Sequence, residues 1–492
     1  MATRRSPVWM YGLVMMLVVG GVALGYLMPE RGESEKAADQ DRAETATAEL
    51  SSAASLVEQT ADEASATETV VSEDADDSAV SFDLTRLDFR DQIQAPQIAS
   101  DGGDRVWLAW DSRTGDEEQT LFLSTSVDGG RGFDSPRAIR TASVYRWEVM
   151  VRGQPGKRES RLWPQIAWQA GRLLVSWVEP LPDNLATLRL YVSESEDGGA
   201  TFGEPRVLSS TDAVRPTFVA FHSHADGRIA ASWLDNRHRA QQPFAAIVSG
   251  QTADESLVFA GQDEKGICPC CNTAVLLADD GSTLVAFRNH KDGFRDMWLA
   301  VKPADDSTFL APVPIAGDRW KFDGCPHDGP SMAIHDGMLH VVWMDAHEGP
   351  QRVYHARARL GDWSFDVQPL DAEATGTQGH PTLAIDVAGV LHVAWDESLD
   401  PASAESPAAG HRHGPPQGSG RAIVYAVSRD GGQSFAAGRK LAVRPGAFQT
   451  RPAVMPLADG SLGFAWNELS DAGKRIVWHR DDAPTAALAV RE

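Results

Sequence analysis

Ser126-Val-Asp128-Gly129-Gly130-Arg-Gly-Phe133, Ser195-Glu-Asp197-Gly198-Gly199-Ala-Thr201-Phe202 and Ser428-Arg-Asp430-Gly431-Gly432-Gln-Ser434-Phe435 are three copies of one turn. Each follows an alternating stretch, such as Leu121-Phe-Leu-Ser-Thr-Ser126 or Val424-Tyr-Ala-Val-Ser428, that reads as a β-strand. The Asp side chain bonds nearby backbone N–H groups, the Gly pair supplies positive φ, and the Phe closes the turn onto the sheet. Each copy therefore marks a β-hairpin tip.

A longer period contains these turns. A strand with a Pro near its start is followed by a short turn and a second strand ending in an aromatic residue. The copies run from Pro96 to Trp110, Pro164 to Trp177, Pro216 to Trp233 and Asn272 to Phe287, then Pro330 to Trp343, Pro381 to Trp395 and Pro452 to Trp466. A third strand follows each, as at Tyr191-Val-Ser and Ile476-Val-Trp-His. Four-stranded units of this length predict an all-β propeller, and seven copies argue for seven blades. Because the aromatics recur at one position per unit, they read as core rather than as ligand platforms. His340 and His392 alternate within strands and read as core or rim.

The three turns resemble the Asp box of the sialidase superfamily of β-propellers, with Asp128, Asp197 and Asp430 as its structural carboxylates. The resemblance implies a sialidase-like propeller with these turns on the blade periphery. Sialidases have six blades, so six is the alternative count.

The first 80 residues stand apart from the repeats. Residues 8–28 carry no charge and follow Arg4 and Arg5. That is long enough to cross a bilayer, with residues 1–7 on the cytoplasmic side. A cleaved signal peptide ending near Ala23-Leu-Gly25 is the alternative, and either reading exports the remainder. Residues 29–80 form an acidic tether: positions 31–80 hold fourteen acidic and three basic residues. Such a segment buries too little apolar surface to fold and has a reach of roughly 40 Å. The formal net charge of −24 argues against a nucleic-acid partner. The expected organisation is a single-pass protein of the bacterial cytoplasmic membrane, with residues 81–492 folded on the extracytoplasmic side.

All four cysteines fall in two adjacent repeats, Gly266-Ile-Cys268-Pro-Cys270-Cys271-Asn and Gly324-Cys325-Pro-His327-Asp-Gly-Pro330. Aligning the repeats on Ala274 and Ala333 sets Cys271 opposite Pro330 and Cys268 opposite His327. Both segments then lead into innermost strands, which in a propeller converge on one mouth of the channel. His380 leads into the next repeat in the same way. Three chemistries suit the cysteines. An oxidising compartment favours disulfides. Thiolates with His327, and His380 as a further candidate ligand, suit Cu(I) or Zn(II). Cys268 and Cys271 also have the spacing of a redox dithiol.

Arg288, Arg295, Asp296 and Trp320 lie between or beside the two segments. The arginines suit a carboxylate or phosphate ligand or, alternatively, a surface salt bridge. The Cys-x-Cys-Cys, Arg-Asn…Arg-Asp and Gly-Cys-Pro-x-x-Gly-Pro order over residues 266–330 resembles a group of bacterial exported sialidase-like proteins. That resemblance implies a site and supplies no reaction. His411-Arg-His413, in a Pro/Gly/Ser-rich loop, is a weaker metal candidate.

An active sialidase needs three arginines, an Asp acid/base and a Tyr/Glu pair. The position of the first arginine reads Gln94-Ala95-Pro96-Gln97. Arg161, Arg215 and Arg451 lie near strand starts, and of the six tyrosines only Tyr145 falls outside both the membrane segment and the third strands. The expectation is thus a propeller binding copper, zinc or a small anionic ligand at a Cys/His/Arg mouth. The alternative is an exo-sialidase or other glycoside hydrolase with a diverged site and a glycan partner.

Overall fold

The computed structural model describes residues 79–83, 94–151, 154–210, 212–249, 252–262, 266–317, 319–402 and 418–482. The apolar run 8–28, most of the acidic tether and the His411/His413 loop lie outside the described residues. Every regular element among the described residues is a β-strand, and none of them forms a helix long and apolar enough to cross a membrane.

Apart from the hairpin of Arg146–Val151 and Gln154–Glu159, the strands form up-and-down antiparallel sets of four. The first comprises Gln97–Ser100, Val106–Arg113, Glu118–Ser126 and Arg137–Ser143, hydrogen-bonded in that order. The same order recurs in four further sheets that begin with Gln165–Gln169, Thr217–Ser223, Ala274–Leu277 and Ser331–His335. An eight-stranded sheet holds two more such sets, beginning with Gln378–Ile385 and Phe448–Pro456 and joined by one parallel pair, Arg421 with Phe448. Each first strand packs on the next, and Phe448–Pro456 packs back on Gln97–Ser100. This closed ring of first strands is the arrangement of a β-propeller.

The ring closes through chain distant in sequence. Ala79–Asp83 pairs with Gly473–Asp481 as the outer strand of the final set, in the register Val80 with Trp478 and Phe82 with Ile476. Phe82 is buried against Trp110, at a centroid distance of 5.1 Å. Ala79 and Val80, placed in the tether by the sequence reading, are thus part of this strand.

The core is a series of sheet-to-sheet interfaces. One cluster joins Trp107 and Leu121 to Leu173 and Trp177, and another joins Trp395-bearing strands to Val342 and Val353. A last one joins Phe464 and Trp466 to Ile423 and Tyr425. With a neighbour on both faces, inner strands lose their polar alternation, and all of Ile229–Asp235 is buried. The repeating aromatics Trp110, Trp177, Trp233, Phe287, Trp343, Trp395 and Trp466 are at most 4% exposed, as core positions require.

The Asp-Gly-Gly turns are built as their residues dictate. The Ser126, Ser195 and Ser428 hydroxyls donate to Asp128, Asp197 and Asp430 at 2.7, 2.7 and 2.8 Å. Each hydroxyl also accepts from the second Gly N–H, and both glycines of every pair have positive φ. The turns also join neighbouring sets, because the Trp107 and Trp478 indoles donate to Gly198 O and Gly130 O.

Candidate metal centre

Pairing in the ladders fixes how the two cysteine segments correspond. Ala274 pairs with Ala286 and Ser331 with Val342, each immediately before the set's aromatic, Phe287 or Trp343. Ala274 is therefore equivalent to Ser331, not to Ala333. Cys268 corresponds to Cys325, Cys270 to His327 and Cys271 to Asp328. The alignment on Ala333 was displaced by two residues. A two-residue slip leaves the in/out pattern of a strand unchanged, so the residue pattern alone does not detect it. The same ladders set Val219, rather than Pro216, opposite Pro381 and Pro452, because Ala220, Thr382 and Ala453 pair with the residue before each set's Trp.

The two segments meet. Cys268, Cys270 and Cys271 are at most 2% exposed, while Cys325 and His327 are half-buried. The Cys268 sulfur lies 3.6 Å from that of Cys270 and 3.4 Å from that of Cys271. All four are free thiols, since a disulfide requires sulfurs about 2.05 Å apart. The ligand atoms of Cys268, Cys270 and Cys271 lie within 4.8 Å of one another, as do those of Cys270, Cys325 and His327. Backbone bonds hold the first loop in place: Ile267 N–H donates to Gln241 O and Cys268 N–H to Arg288 O. Gly266 has φ +75°, and a Cβ there would meet Gln241 O at 2.2 Å, so only glycine allows this approach. His327 has φ +56°, a sparsely populated region for a side-chain-bearing residue, and Arg451 Nη2 donates to its carbonyl at 3.1 Å.

Arginines form the cationic wall. Arg295 Nη1 donates to Cys268 Sγ at 3.2 Å and its Nε to Phe322 O at 3.0 Å. Arg288 is 1% exposed and donates to the carbonyls of Asp328, Arg295 and Met344. It lies over the Trp320 ring, which stacks on Phe322 at 5.0 Å. Asp296 is buried and accepts from the Arg319 and Trp320 N–H groups at 3.0 Å. Arg288, Asp296 and Trp320 are therefore interior parts of the wall, and Arg295 is the arginine that reaches the sulfurs.

The charges separate the thiols. Burial opposes ionisation of Cys268, yet hydrogen bonds from Cys270 and Cys271 and the charges of Arg295 and Arg288 hold it well below the usual thiol range. Burial raises Cys270, and burial together with the Cys268 contact raises Cys271. The Cys270 hydrogen bond lowers Cys325. The cations thus favour the charged form of Cys268, while burial disfavours it at Cys270 and Cys271.

Beside the cluster lies a cavity of about 300 Å³ that touches the first strands of all seven sets. Asn272, Asp328, His380, Arg451, Trp163 and Phe218 are among its lining residues. His380 Nδ1 bonds Asp396 Oδ2 at 2.7 Å, and its backbone N–H donates to Asp328 Oδ2 at 2.6 Å. Burial opposes ionisation of Asp396, but Arg421 and His380 hold it well below the carboxylate range. Burial raises Asp328. Of the proposed arginine trio, Arg451 lines this cavity and Arg161 is buried, whereas Arg215 covers the Trp147 ring at 4.6 Å. Tyr145 stacks on Trp147. Among the described residues, none that lines the cavity is Tyr or Glu.

Asp328, Asp396 and Arg421 escaped the residue pattern. Asp328 was readable as the counterpart of Cys271 only once the register was known. Asp396 and Arg421 are an ordinary Trp-Asp and a strand-leading Arg in sequence, and the ladder pairing of their set brings them to His380.

No family model and no curated protein matches the chain. Among solved structures it is similar to a protein of unknown function from Dyadobacter fermentans, at 16% identity and TM-score 0.42, over 62% of this chain and 91% of that one. It is also similar to a Penicillium chrysogenum α-L-arabinanase complexed with arabinobiose, at 16% identity and TM-score 0.43, over 65% and 93%. A leech intramolecular trans-sialidase complexed with 2,7-anhydro-Neu5Ac is similar at 11% identity and TM-score 0.39, over 61% and 64%. None of their chemistry transfers to this chain on such a likeness.

Proposed function

We propose that this chain is a membrane-tethered, extracytoplasmic seven-bladed propeller that binds a soft metal, copper or zinc, through Cys268, Cys270, Cys271, Cys325 and His327. The blade count is supported by the seven four-stranded sets and their ring of first strands. The tether and its side of the membrane are supported by the apolar run 8–28 behind Arg4 and Arg5.

One observation carries the metal reading: sulfurs from three thiols stand 3.4 and 3.6 Å apart across a shared space. Thiolates at about 2.3 Å around a tetrahedral ion lie about 3.8 Å from each other, so small shifts of free side chains suffice. Arg295 and Arg288 add the positive charge that a multi-thiolate centre needs, and Asp296 fixes the loop carrying Trp320. The glycoside hydrolase reading calls for a Tyr/Glu pair, which the described residues lining the cavity do not supply.

The test is metal content per chain, by elemental mass spectrometry, on the full-length protein isolated without oxygen or chelator. At least one equivalent of copper or zinc, lost on Cys268→Ser with Cys271→Ser, is the expected result. Metal-free protein with its thiols already paired as disulfides overturns the proposal.

A further inference from the structure

We infer that the two cysteine loops hold a pair of Cu(I) ions bridged by the Cys270 thiolate. One ion takes Cys268, Cys270 and Cys271, and the other takes Cys270, Cys325 and His327. This rests on the metal reading above and goes beyond it in ion number, oxidation state and the role of one sulfur.

The argument starts from how the ligand atoms group. They close into two sets of three that share Cys270, and not into one set of four. A closed Zn(II) site needs four protein ligands all about 3.8 Å apart, and the loops offer no such quartet. Cu(I) is a soft d10 ion that thiolates select and that three ligands satisfy. Two neighbouring three-ligand pockets therefore suit two Cu(I) ions better than one divalent ion. Cys270 is the only residue placed to serve both, since it belongs to both triads.

The backbone explains why the triads adjoin. Cys268 and Cys325 hold equivalent positions in adjacent sets, as do Cys270 and His327. The two pockets are the same loop position met twice, side by side, with Cys271 supplying the third ligand on one side. Their exposure differs. The Cys268/Cys270/Cys271 triad is buried, whereas Cys325 and His327 are half-buried and give the second pocket its opening to solvent.

Charge balance is consistent with this grouping. Four thiolates and two Cu(I) ions sum to −2, and Arg295, donating to Cys268, and Arg288, over Trp320, supply +2 at the wall. A single divalent ion on four thiolates gives the same sum. The ligand grouping, and not the charge, therefore decides between them.

The experiment titrates the reduced full-length chain anaerobically with Cu(I) against a colorimetric Cu(I) chelator. Copper retained after desalting is counted by elemental mass spectrometry, and X-ray absorption is measured on the loaded wild-type protein. The expected result is two copper ions per chain with a Cu···Cu scattering feature. His327→Ala and Cys325→Ser should each lower the count to one, with far-ultraviolet circular dichroism unchanged. Cys270→Ser should lose the Cu···Cu feature. One copper per chain in the wild type, unchanged by His327→Ala, overturns the pair and leaves the metal reading standing. No retained copper and no retained zinc overturns both. The absorption spectrum of the unmodified protein decides the question even if a variant fails to fold.

Discussion

Replacing Arg295 by Met tests whether a cation tunes the centre or merely packs against it. Its guanidinium donates to Cys268 Sγ at 3.2 Å in a site where Cys268 is fully buried. A hydrogen bond to a charged partner contributes about 1.5–3 kcal/mol, so its loss should raise the Cys268 thiol by about one to two pKa units. Protons compete with metal for the thiolate, so apparent metal affinity should fall about 10–100-fold wherever the variant's Cys268 is protonated. The loss should grow as pH falls and vanish above the variant's thiol pKa. The assay pairs the ultraviolet thiolate absorbance of metal-free protein, followed against pH, with Cu(I) competition titrations across the same range. Arg295→Lys keeps the charge while losing the planar fork and should recover part of the affinity. An affinity loss that is the same at every pH would refute the reasoning. It would mean that Arg295 acts by holding the Phe322 carbonyl, to which its Nε also donates.

Three other expectations concern the scaffold. Phe82→Ala empties a contact shared with Trp110 and Phe133 and should cost about 3–5 kcal/mol in urea unfolding. Truncation before Asp83 should do at least as much, and unchanged stability would remove the ring-closing role of Ala79–Asp83. Gly130→Ala places a Cβ 2.7 Å from the Trp478 ring at φ +81°. It should destabilise by roughly 1–3 kcal/mol through strain and displacement of that indole, and an unchanged melting temperature contradicts the turn geometry. Finally, burial pushes His340 down to about 4 and His355 to about 3, against an unfolded value of about 6.5. The folded pair is neutral, so its contribution is complete above pH about 6.5 and is lost as pH falls toward about 4, by roughly 3 kcal/mol for His340. Replacing both with Leu should flatten stability against pH in that window. Part of the slope should remain, because burial also lowers His222 to about 4.

What sequence alone determined about this protein is what short-range physics encodes. The Ser-x-Asp-Gly-Gly turns form because Ser and Asp side chains satisfy backbone N–H groups within five residues, and because Gly alone takes two positive φ values in a row at no steric cost. The aromatic at the end of each second strand signals burial on both faces, so the repeating four-stranded units could be read directly. The cysteine and His327 cluster was also visible, as residues able to ligate a soft metal in two consecutive repeats.

Tertiary structure decided whatever depends on partners far along the chain. Ala79–Asp83 is too short to show a period, and its partner strand lies at the other end of the fold. The register of the two cysteine segments depends on ladder pairing, which a slip of two residues conceals. Arg288 and Arg295 read alike in sequence. Only the packed wall turns one toward backbone carbonyls and the other toward Cys268. Residue pattern therefore specified the repeating unit, because the unit is held by neighbours. Packing of two adjacent sets specified the site, because Cys325 and His327 lead into one set while the other cysteines, Arg288 and Arg295 belong to its neighbour, and these meet only when the two first strands pack together.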